Sequence, residues 1–165
     1  MKKLFALLMC AALLALGTGA ALAEETKLTV SGSGTVLVES DLAIVTMGVR
    51  EAASDVLEAQ STVNEKIAAI KQALLDAGVQ ESEINTDSIN IYANYDYSGS
   101  TEVIVGYTAY NSLSVRTTNI DGVGALIDAA FAAGANTLDS VQFTVQDDTE
   151  AQEQALTMAV QDAQR

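Results

Sequence analysis

The chain has 165 residues, with 22 acidic residues against 8 basic ones and a formal net charge of −14; it has no histidine, no proline, no tryptophan and one cysteine. Such a surface repels phosphate backbones, so nucleic acid is not an expected partner. Without imidazole there is no Ser-His-Asp or Cys-His arrangement, no customary general base near neutral pH, and none of the commonest metal ligand.

The chain opens with Met1-Lys2-Lys3, an apolar run from Leu4 to Leu16, and Ala21-Leu22-Ala23 ahead of Glu24. A basic start, a short apolar stretch and an A-x-A site predict a signal peptide over residues 1–23. The run is shorter than the roughly 20 apolar residues needed to cross a bilayer. Cys10 lies inside it after bulky Met9, which does not suit lipoprotein processing. Cleavage after Ala23 leaves residues 24–165, 142 in all, without cysteine and with six basic residues against 22 acidic ones, a balance of −16. The expected product is one periplasmic or secreted domain, held without disulfides, with no later segment apolar enough to span a membrane.

From Lys27 to Ser40 the residues alternate, with Leu28, Val30, Gly32, Gly34, Val36 and Val38 on one side, which predicts a strand. A second strand, Leu42 to Val49, follows after Ser40-Asp41 and offers Ala43, Val45, Met47 and Val49 to the core. The period then changes. Val56, Ala59, Val63, Ile67, Ile70, Leu74 and Ala77 recur at three- and four-residue steps, predicting a helix over 55–77 with Asp55 at its start and Gly78 past its end. Strand signals return over 84–95 and 103–118, joined by a polar tip and read as a long hairpin. A shorter helix from Asp121 buries Val123, Leu126, Ile127, Ala130 and Phe131 and ends before Gly134. A strand over 138–145 and a helix opening at Thr149 with Gln152 complete the chain; the last helix carries Ala155, Leu156, Ala159, Val160 and Ala163. The predicted class is α+β, an antiparallel-rich sheet with helices on one face in the order β-β-α-β-β-α-β-α. The final helix runs to Arg165 without a stop signal, read as C-terminal truncation.

Few residues invite chemistry. Gly32-Ser33-Gly34 sits within an alternating strand, lacks a third glycine and leads into no helix, so it reads as a bulge or close helix packing rather than a phosphate loop. Asp147-Asp148-Thr149-Glu150 lacks the spacing of a calcium loop and reads as capping acids at a helix start. No catalytic residue, cofactor or metal ligand is assigned. The five tyrosines, Tyr92, Tyr95, Tyr97, Tyr107 and Tyr110, all fall in the long hairpin. Tyrosine joins a large apolar ring to a hydroxyl, which suits a contact surface. Cross-strand pairing that stiffens the hairpin accounts for the same clustering.

The runs 30–36, 41–49, 59–78, 84–86, 106–111, 127–136 and 155–165 together resemble the SIMPL-domain family of bacterial periplasmic or secreted proteins. Ser40-Asp41 stands where that family commonly has Pro-Asp, and the family usually continues past the point where this chain stops. The resemblance implies an exported α+β protein. Some members assemble into rings or channels, and some are linked to protection from oxidative stress. It transfers no catalytic residue. The expected function is accordingly a self-associating homo-oligomeric binding module of the envelope; the alternative is an envelope enzyme using carboxylates or a bound cation.

Overall fold

A computed structural model describes residues 27–99 and 101–164. The expected leader, residues 1–23, lies outside them. Four antiparallel strands form one sheet: β1 (Leu42–Ala53), β2 (Ile84–Asp96), β3 (Val103–Thr117) and β4 (Thr137–Thr144), in the spatial order β2-β3-β1-β4. Helices α1 (Val56–Asp76) and α2 (Val123–Ala132) pack together and against β1 on one face. A third helix, α3 (Thr149–Ala163), follows β4. The α+β class holds, and from Leu42 onward the elements follow the expected order, with one 3-10 turn at Glu81–Glu83 added before β2.

The core is the meeting of two periodicities. Ala43, Val45, Met47 and Val49 project from β1, each with no accessible surface, and Ala59, Val63, Ile70 and Leu74 of α1 close over them. Each large aliphatic side chain buried in this way contributes about 1.5–3 kcal/mol relative to an exposed one. Asp55 caps α1, its Oδ1 accepting from the N–H groups of Leu57 (2.8 Å) and Glu58 (3.3 Å). Gly78 and Gly134 follow α1 and α2 at φ of +93° and +112°, so the next amides turn back onto Leu74 and Ala130.

The run from Lys27 to Ser40 departs from expectation. It forms no strand and pairs with none among the described residues. It lies along α3 instead, with Gly32 and Gly34 so close that a β-carbon would sit 2.0 Å from the Ala159 carbonyl oxygen and 1.9 Å from that of Ala155. The Ser33 amide donates to Asp162 at 3.0 Å. Of the two roles expected of these glycines, a bulge or close helix packing, the fold uses the second. Ala155, Ala159 and Ala163 meet the segment, while Leu156 and Val160, expected in the same stripe, remain exposed.

Candidate functional site

The hairpin of β2 and β3 outgrows the rest of the sheet. Pairing of β1 with β3 stops at Ala53 and Tyr107, and from there to the tip β2 and β3 have only each other. The two strands do not run in simple register. An extra residue, Asp87, interrupts β2 between Thr86 and Ser88, and a second irregularity falls between Asn94 and Tyr95. The first bulge reverses the parity of the strand: Ile84 pairs with Val115 on the helix-covered face, and Ile89 and Ile91 pair with Asn111 and Ala109 on that same face.

The five tyrosines divide into three settings. Tyr92 and Tyr110 lie on the sheet face away from the helices and are joined through Arg50 of β1. The Arg50 guanidinium sits 4.9 Å from the centre of the Tyr110 ring, and its Nη1 donates to the Tyr92 hydroxyl at 2.9 Å. The Tyr110 hydroxyl donates to Asp139, the bulged residue of β4, two strands away. Gly48 of β1 lies opposite Ser112 and Thr137, so no side chain of the central strand stands between them. Burial first, and then the bond to Asp139, push the Tyr110 phenol above its usual 10.0, which holds it neutral.

Tyr95 and Tyr97 stand at the tip, their ring centres 6.1 Å apart and tilted by 43°. Tyr97 is 72% exposed and donates to Glu102 at 3.3 Å. Asp96 accepts from the Ser98 amide at 2.8 Å, which holds its carboxyl below the ordinary range and shapes the turn. Val103, Ile104 and Val105 on the returning strand are also exposed. Tyr107 is half-buried and pairs with Ala53 and Ala93.

Tyr92 and Tyr110 are thus joined across the sheet through Arg50, while Tyr95 and Tyr97 stand at the tip; Tyr92 and Tyr95 are exposed alike, at 44% and 43%. The residues missed from sequence are Arg50, Asp87 and Asp139. Arg50 ends a core-facing alternation, and nothing local marks it as the link between two tyrosines. Asp87 and Asp139 look like ordinary strand polar residues. Their bulges aim them at Ser112 (3.2 Å) and Tyr110, where a regular strand would not.

A depression of about 380 Å3 opens at the far end of the sheet, lined among others by Gln80, Glu83, Arg116, Asn119 and Gln146. Arg116 lies 3.8 Å from Glu83, so its charge is already matched. Among the described residues no three of His, Cys, Asp and Glu converge to hold a metal ion, and no helix is long and apolar enough to cross a membrane. At the start of α3 the Asp147 carboxylate is held below its ordinary pKa by the Thr149 side chain first and by the Thr149 amide, which donates to it at 3.0 Å, second, while Asp148 at the cap position makes no side-chain cap bond.

The family described as SIMPL, protein of unknown function (DUF541), matches residues 28–165. The chain belongs to the SIMPL family. Two relatives show the spread of this SIMPL domain. The 26 kDa periplasmic immunogenic protein of Brucella melitensis is 28% identical over 118 residues, 68% of this chain and 47% of that relative. The protein YggE of Escherichia coli K12 is 27% identical over 145 residues, 86% of this chain and 59% of that relative. The SIMPL domain here therefore spans about half the length of the relatives it matches.

Proposed function

We propose that this SIMPL domain is exported to the periplasm or secreted and works by binding and self-association rather than by catalysis. The observation that carries the reading is the hairpin tip. Tyr95, Tyr97, Val103, Ile104 and Val105 form an exposed apolar and aromatic end on a strongly acidic chain, held out beyond the last residue of β1. Exposed apolar area of this kind marks contact sites, and tyrosine is enriched in them. Export is supported by the tripartite leader in residues 1–23 and by the periplasmic designation of the Brucella relative.

The acids nearest the tyrosines favour a structural role over an enzymatic one: Asp139 is taken up by Tyr110, and Asp87 by Ser112. A link to oxidative-stress protection, implied by the family, would in this chain run without a thiol, because Cys10 leaves with the leader. Light scattering on the chain from Glu24 tests the reading. The expected mass exceeds that of a monomer, rises with concentration, and falls toward a monomer in Tyr95→Ala/Tyr97→Ala. A strict monomer at several hundred micromolar would rule self-association out.

A further inference from the structure

We infer that β2 is a pairing edge for a second copy of this chain, the two β2 strands running antiparallel about a two-fold axis at Ile91. The inference rests on the self-association proposed above and adds a second surface to the hairpin tip, the backbone edge of β2.

Among the described residues β2 forms one edge of the sheet, and no described strand pairs with the outer side of its backbone. Proteins usually guard such an edge with charge, proline, a bulge or a covering element. Between Asp87 and Asp96 the strand reads Ser88-Ile89-Asn90-Ile91-Tyr92-Ala93-Asn94-Tyr95, with no charge and no proline. Its regular stretch, 88–94, lies between the two irregularities of the strand, and Ile91 is its midpoint. Ile89 is 63% exposed and Ile91 39%, although both project to the helix-covered face, because α1 packs chiefly over β3 and β1.

A second copy fits this edge better than an unrelated strand because the stretch is self-complementary. With the axis at Ile91, that residue meets its own copy, and Ile89 meets Ala93 of the other chain on the helix side. On the other face Asn90 meets Tyr92 and Ser88 meets Asn94. Asp87 falls opposite Tyr95 and Asp96 opposite Thr86, so no acid faces an acid even though each leader-free copy carries a net charge of −16. A two-fold contact of this kind joins two four-stranded sheets into one of eight strands and covers both isoleucine pairs.

The chain from Glu24 has no cysteine, so a single engineered thiol can form a disulfide only between copies. Ile91→Cys, oxidised in dilute solution, is expected to give a covalent dimer in high yield, while Gln142→Cys on the opposite edge strand gives little. Ile91→Lys, which sets two ammonium groups against each other on the axis, is expected to weaken association at least tenfold with the circular dichroism of the parent retained. If the parent chain is monomeric, both this inference and the proposed function fail. If it associates but Ile91→Cys does not cross-link and Ile91→Lys leaves the mass unchanged, the β2 contact is wrong and self-association stands through another surface.

Discussion

The sheet has two edges, and they are built differently. At β4, an eight-residue strand, the ladder is broken at Asp139, whose carboxylate is drawn over the sheet face by Tyr110, and the far end is tied down by Asp41. The Asp41 amide donates to the Thr144 carbonyl at 3.1 Å, and its Oδ1 accepts from the Gln146 amide at 2.7 Å. At β2, thirteen residues long, the central stretch is regular, uncharged and studded with exposed isoleucine and tyrosine. A bulge and a carboxylate are devices that stop a strand from recruiting another, and β2 has neither in its middle. The contrast is what favours β2 over β4 as the pairing edge inferred above.

The strand between them sets the largest expected effect. Met47→Ala in β1 empties a site with no accessible surface at the centre of the core and is expected to cost about 2–5 kcal/mol, read from urea unfolding. It should disable both edges equally, and an edge-selective effect would show that β1 does not unite them. The next effect belongs to the guarded edge. Tyr110→Phe removes the bond to Asp139 and is expected to cost about 0.5–1.5 kcal/mol. The pH dependence has a definite sign. A phenol whose folded pKa is raised gives stability that is fully present below the ordinary value of 10.0 and is lost as pH rises through the folded one. Urea midpoints measured from pH 8 upward should therefore fall in the parent and fall less steeply in Tyr110→Phe.

Smaller effects separate association from folding. Phe143→Lys on β4 replaces an exposed ring and is expected to change stability by less than about 0.5 kcal/mol while leaving the assembled mass unchanged. Its counterpart on β2 should lower that mass. Raising ionic strength from tens to hundreds of millimolar should strengthen association modestly, because the acidic copies repel one another and the stretch 88–94 at the centre of the inferred contact carries no charge. A mass that falls with added salt would point to ion pairs in place of the apolar contact.

How much of this was legible depended on whether the deciding contact was local. The α1 stripe and the β1 alternation were readable because each periodicity exposes its own buried face, and Asp55 and Gly78 mark their helix end by chemistry alone. The run from 27 to 40 has the alternation of a strand, but alternation says only that two faces differ, and here the glycine face meets α3 with no ladder alongside. Strand order was likewise hidden: nothing in Ser88–Tyr95 says that β2 lies at an edge, since that follows from β1 entering between β3 and β4. The gathering of the tyrosines in one hairpin is legible in the sequence, and their separate settings are not. Arg50 is more than forty residues from Tyr92, and the bulges at Asp87 and Asp139 invert the parity from which their directions would be judged.

Backbone hydrogen exchange, compared between dilute and concentrated samples of the chain from Glu24, addresses the β2 edge directly. An unpaired edge leaves every second amide to water, whereas a paired one shields them. The outward amides within 88–94 should exchange more slowly as concentration rises, while those of 137–144 keep one rate throughout. Exchange on β2 that is indifferent to concentration, or protection that appears on β4 instead, would contradict the account.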